Sequence, residues 1–372
     1  MSSIEGRAIL FCEGALGTTN GKTAHGLLRR SERYEILSVV DSTNQGEMTS
    51  HLLRGCRFDV PVLASVQEAV LRAKAESAGV THLIVGLAPD GGKLPPDARR
   101  EILSAVSLGL SVISGLHDFL SDDEELVALA ENRGVSLVDV RKMPAAEDRH
   151  FFSGKIEAVT TPRIAVLGTD SAVGKRTTAW MLVDAYRKAG FKAELVGTGQ
   201  TARIQGAKFG VVFDALINDF VSGEIEHAVF SAWEAERPDV IIVEGQGSLM
   251  NPAYPGGLEI LAASRPACIV LQHAPARKEY DGFPGYPLHP LPRQIQALEL
   301  ISDRKVVAVT VNSELLDVDE IEAACRSVTK ETGLVAVDPL RSGVDAVVAA
   351  AAPYIGLGGV AGAGRIAASG AP

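Results

Sequence analysis

The sequence predicts an α/β protein made of two successive doubly wound domains. Three observations predict it. The length of 372 residues exceeds what one hydrophobic core usually supports. Short β-rich runs alternate with amphipathic stretches. That alternation breaks off near residue 146 and then restarts. Strand and helix alternating in this way require a parallel sheet covered on both faces.

The first domain is expected over residues 1–145. Its strands are "RAILFCEG", "EILSVVD", "THLIVGLAP", "LSVISGL" and "VSLVDVR", separated by amphipathic stretches such as "PPDARREILSAVSLG". Residues 146–162 break the periodicity, end in a proline, and read as a linker. A second domain is expected over 163–353, with strands "RIAVLGT", "KAELVGT", "DVIIVEG", "ACIVLQH", "KVVAVTV" and "GLVAVDP". The remainder, 354–372, is rich in Gly and Ala without an apolar period, and a flexible tail is expected there.

Composition narrows the function. A net charge of −10 with scattered basic residues argues against a nucleic-acid partner, which needs concentrated Lys and Arg. The cysteines Cys12, Cys56, Cys268 and Cys325 form no CxxC pair, so neither a zinc site nor a disulfide framework is suggested. The N-terminus lacks the progression of a signal peptide, and no apolar run reaches the roughly 18 residues of a membrane span. A soluble cytoplasmic protein with small-molecule partners, no membrane partner and a homo-oligomeric state is expected.

The chemistry concentrates after the strand "RIAVLG", which runs directly into "TDSAVGK" and then into the helical "RTTAWMLVDAYRKAG", with Gly190 as its stop. A strand, a Gly-containing turn, a Lys and a helix start in this order turn successive amides and the helix N-terminus toward an anion. The candidate phosphate-binding residues are Thr169, Asp170, Ser171, Ala172, Val173, Gly174, Lys175, Arg176, Thr177 and Thr178. An ordinary strand-to-helix turn is the bland alternative. Arg176 stands where such a loop normally has the Ser or Thr that holds magnesium, and a guanidinium cannot ligate a cation. It can bind more phosphate, bidentately. Thr177 and Thr178 lie about 100° and 200° further around the helix. The loop suits a phosphorylated ligand that is gripped without being cleaved, and no metal is expected.

"GTDSAVGK" is similar to the loop of dethiobiotin synthetase, and "VEGQGSL" at 243–249 resembles that enzyme's acidic strand-end motif. With "QHAPARKEYDGFPGYPLHPL" and the domain order, these motifs resemble the D-glutamate N-acetyltransferase family, formerly known only as a domain of unknown function. The resemblance covers nearly the whole chain. It implies a Rossmann-like domain followed by a P-loop NTPase-like domain, and acetyl transfer from acetyl-CoA to the amine of D-glutamate in D-amino-acid metabolism. Coenzyme A carries phosphates that must be held and not broken, which agrees with Arg176.

Acetyl transfer needs a proton acceptor for the amine and clamps for the acceptor's carboxylates. Glu244, closing "DVIIVEG", is the leading base, with a structural cap as the alternative; His273, closing "ACIVLQH", competes with it. The segment from Gln272 to Gln294 carries five prolines and two glycines and reads as a long ordered loop or lid. Within it Arg277 and Lys278 are carboxylate clamps, or else a solvated charged face. Arg203, after "KAELVGT", is a further clamp by the dethiobiotin synthetase resemblance. Asp170 shapes the turn or orients Lys175. In the first domain, "CEGALGTTNGK" with Lys22 and Asp41 is a possible ligand edge or a plain turn. Two rivals remain: an ATP-dependent ligase or kinase using Mg-ATP, and a nucleotide-binding regulator without turnover.

Overall fold

The computed structural model describes residues 4–357. The chain divides into two compact units, Met1–Arg149 with Gly197–Ile217, and His150–Val196 with Asn218–Pro372. Strands in the first unit are β1 (Gly6–Phe11), β2 (Tyr34–Val40), β3 (Val62–Leu63), β4 (His82–Val85), β5 (Ser111–Ser114) and β6 (Leu137–Asp139). They form one sheet in the order β3-β2-β1-β4-β5-β6, every pairing parallel. This is the Rossmann strand order. The strands read as nearly unbroken apolar runs because both faces are covered, and Ile9, Leu10, Ile84 and Val112 are fully buried.

In this unit Asp41 holds its own turn together. Asp41, buried at the end of β2, accepts from the amides of Gly14 and Leu16 at 3.0 and 3.1 Å and from the Thr43 hydroxyl at 2.6 Å. Asn44 Nδ2 adds a further bond at 2.9 Å. Burial would raise the Asp41 pKa, yet these donors hold it below the usual carboxylate range. The carboxylate is committed to its own loop.

Strands β7 (Arg163–Gly168), β8 (Ala193–Gly197), β9 (Phe209–Gly210), β10 (Val240–Glu244), β11 (Cys268–His273), β12 (Val306–Val311) and β13 (Val335–Val337) follow. They are ordered β13-β12-β11-β7-β10-β8-β9. β7 pairs in parallel with β11 on one side and β10 on the other. The chain runs from β7 to β8, β9 and β10 on one side and then crosses to β11, β12 and β13 on the other, so the C-terminal end of β7 lies at the switch point where ligands bind in open α/β sheets. Helix Lys175–Lys188 starts there and buries Thr178, Ala179, Leu182, Val183 and Tyr186, a stripe at helical spacing. It stops before Gly190, which adopts φ 90°.

Three boundaries differ from the sequence expectation. Gly197–Ile217 groups with the first unit although it falls inside the expected second domain. There Thr201 Oγ1 meets Thr23 Oγ1 at 3.1 Å, and Gln205 Nε2 donates to the carbonyl of Gly26 at 2.7 Å. The expected linker belongs to the second unit from His150 onward. Glu226, on helix Asn218–Glu236, accepts from the amides of Ser153 and Ile156 at 2.7 and 3.1 Å, and Glu224 accepts from that of His150 at 2.7 Å. Gly223 allows the strap to lie against the helix, since a Cβ there would stand 2.1 Å from the His150 carbonyl. The last helix, Asp345–Ile355, extends two residues past the expected domain end, and the expected tail from residue 358 lies outside the described residues.

Candidate functional site

At the end of β7 the chain turns through a loop whose backbone alternates in hand. Ala172 adopts φ 52° and Gly174 φ 103°, both left-handed. Such alternation points successive N–H groups into one concavity, and helix Lys175–Lys188 adds its positive end. Lys175 is only 7% exposed, and its Nζ donates to the carbonyl oxygen of Asp170 at 2.7 Å, folding the cation back into the loop.

Asp170 is fully buried and organises everything around it. One carboxylate oxygen accepts from the Ser171 amide at 2.7 Å and from Asn251 Nδ2 at 2.8 Å. The other accepts from Arg277 and from the Asp281 amide, both at 2.8 Å. Arg277 also donates to the Ser171 carbonyl at 2.7 Å and pairs with Glu314. Burial would lower the Arg277 pKa, but the Glu314 and Asp170 charges raise it above the ordinary value.

The neighbouring strand ends complete the site. Gln272 Oε1 accepts from the hydroxyls of Thr178 and, at 2.7 Å, Thr310. Asn312, just past β12, donates its amide to the His273 carbonyl at 2.7 Å and its Nδ2 to the Val173 carbonyl at 2.9 Å. His273 Nδ1 lies 3.1 Å from Thr169 Oγ1. Burial, assisted by the Arg277 charge, pulls the His273 pKa down to about 4. Glu244 is 4% exposed at the end of β10. Burial lowers the Arg176 pKa, with the Glu244 charge opposing that shift.

The structure gathers the loop from Thr169 to Thr178, Glu244, His273 and Arg277 in the second unit. Arg277 is a correction to the sequence reading: its guanidinium is spent on Asp170, Ser171 and Glu314, so it braces the loop and is not displayed as an acceptor clamp. Lys278 is exposed, and its carbonyl accepts from the Leu288 amide at 2.8 Å within the Pro-rich loop. Arg203 is exposed on helix Gln200–Gln205 in the first unit, outside the group gathered around β7. Asn251, Gln272, Asn312 and Glu314 were missed. Gln272 and Asn312 sit at strand ends like Glu244, and the same strand-end rule would have found them.

Two family models match the chain. One, described as a DUF1611 C-terminal P-loop domain of unknown function, spans residues 150–348, and the other, a DUF1611 N-terminal Rossmann-like domain, spans 42–143. The chain belongs to the DUF1611 family. A DUF1611 family protein from Anabaena variabilis ATCC 29413 superposes with a TM-score of 0.84 at 31% identity, covering 93% of this chain and 98% of that one. A protein named D-glutamate N-acetyltransferase from a Pseudoalteromonas species is 32% identical over 74% of this chain and 82% of its own. Another of that name, from Tritonibacter scottomollicae, is 33% identical over 75% and 83%. The Rossmann-like and P-loop domains expected from the sequence are therefore the family's own. No described helix is long and apolar enough to cross a membrane.

Proposed function

We propose that this DUF1611 protein is an N-acetyltransferase that moves acetyl from acetyl-CoA to the amine of D-glutamate, with the coenzyme's phosphates on the loop from Asp170 to Thr178. The two relatives named for that reaction support the reading. The observation that carries it is the loop itself: Lys175 and the amide concavity are kept for a phosphate, while the position after Lys175 holds Arg176, near Glu244. Of the two threonines that follow, Thr178 donates its hydroxyl to Gln272 inside the fold. A loop of this kind fits a phosphorylated ligand held through cationic and amide donors.

In the reaction the acceptor nitrogen, once deprotonated, attacks the thioester carbonyl; the C–N bond forms, the C–S bond breaks, and the departing thiolate is protonated. Of the two base candidates we assign the role to Glu244. Glu244 closes β10 next to β7, whereas His273 Nδ1 is already engaged with the Thr169 hydroxyl at 3.1 Å. Lys278, exposed on the Pro-rich loop of the second unit, stays as the proposed contact for an acceptor carboxylate.

The test is to incubate the protein with D-glutamate and either acetyl-CoA or Mg-ATP, following free thiol and ADP. Thiol release that depends on D-glutamate supports the assignment. ADP release without thiol would favour an ATP-dependent ligase or kinase.

A further inference from the structure

Three aromatic side chains sit beside the phosphate loop in a row. The rings of Tyr254 and Phe283 have centroids 6.2 Å apart, and those of Phe283 and Tyr286 are 6.4 Å apart, edge to face. Tyr254 is 50% exposed and Tyr286 57%. A contiguous cluster of open aromatic rings is a surface suited to recognition.

The row is fastened to the loop from both sides. Asn251, which donates to Asp170, also accepts from the amides of Ala253 and Tyr254 at 2.9 Å each. Tyr254 in turn lies on the turn that follows Glu244: its carbonyl accepts from the Ser248 amide at 3.0 Å, and a Cβ on Gly247 would stand 1.8 Å from that oxygen. On the other side the Asp281 amide holds the second oxygen of Asp170. From there Phe283 donates to the Tyr280 carbonyl, and Tyr280 donates to that of Tyr286, both at 3.0 Å. One buried carboxylate thus fixes the phosphate loop and both loops that carry the rings.

We propose that Tyr254, Phe283 and Tyr286 form an aromatic wall, ring faces set against ring edges, onto which the adenine ring of the phosphate-loop ligand packs. This rests on the reading of that ligand as coenzyme A and adds where its base is recognised. An adenine presents a flat, polarisable face that aromatic side chains bind without needing a charge. The amino-acid acceptor has no ring to offer, so the trio suits the base and not the acceptor.

The experiment replaces both exposed rings, Tyr254→Ala with Tyr286→Ala, and measures binding of coenzyme A, 3′,5′-ADP and 4′-phosphopantetheine by calorimetry. Tyr254→Phe with Tyr286→Phe serves as the conservative control. Binding of the two adenine ligands is expected to weaken on the order of tenfold in the alanine protein. Phosphopantetheine binding is expected to stay at the wild-type level, which also reports an intact fold, and the phenylalanine protein should bind all three normally. Unchanged coenzyme A affinity in the alanine protein overturns the wall alone and leaves the transferase reading standing. Equal weakening of all three ligands overturns it too, as does a change confined to the state of association, which would make the row a protein interface. Failure of the wild-type protein to bind either adenine ligand removes both the wall and the reading beneath it.

Discussion

At the scale of single residues, the site is governed by how its buried charges are partnered within the fold. Lys175 is the cation of the loop, and Lys175→Ala is expected to weaken coenzyme A binding by about 1–3 kcal/mol, the range for a charged hydrogen bond, read by calorimetry. Glu244→Gln keeps the shape and removes the charge, so kcat should fall by about 10²–10⁴ with little change in coenzyme affinity. A Glu244→Gln protein with normal turnover would return the role of base to His273. The His273 ring sets a pH dependence of stability. Its pKa is about 4 in the fold against 6.5 in the free side chain, so the unfolded chain binds more protons between those values. The stabilisation is full above pH 6.5 and is lost as pH falls toward 4, by up to about 3 kcal/mol. His273→Asn should flatten that part of the pH–stability curve measured by urea titration. At this scale the sequence was half legible: the loop, Glu244 and His273 stand out by position on their strands, whereas the partners of Arg277 come from Asp170 and Glu314, far apart in the chain.

At the scale of elements, regular strands were legible because a buried parallel strand must be an apolar run, and every run named from the sequence contains a strand. β3 and β9 escaped since two residues carry no period. The strap at 150–158 was misread for a related reason. It is irregular and polar, which reads as linker, but its amides are satisfied by Glu224 and Glu226 on a helix over 60 residues later in the chain. Gly223→Ala would drive a Cβ into the strap's backbone, a contact that no side-chain rotation relieves. A loss of about 1–3 kcal/mol in unfolding free energy is expected from such overpacking, while coenzyme affinity in the folded protein should hold.

At the scale of the whole molecule, two α/β units were readable from the interrupted alternation, and their order agrees with the family models. What could not be read was that Gly197–Ile217 belongs to the unit that precedes it, because membership in a core depends on long-range contact and not on local pattern. The hydrogen bonds from Thr201 and Gln205 to helix Lys22–Arg29 make this segment part of the first unit. Residues 1–149 produced alone should therefore show a broad, weakly cooperative melt, sharpened when 197–217 is restored in the full chain. The same crossing bears on how the protein is made. As the chain leaves the ribosome, the first unit cannot be finished when Arg149 appears; it must wait for Ile217, with the phosphate loop already synthesised in between. The nascent chain holds two incomplete cores at once, and a stall before Ile217 would leave both open to aggregation or to chaperone capture.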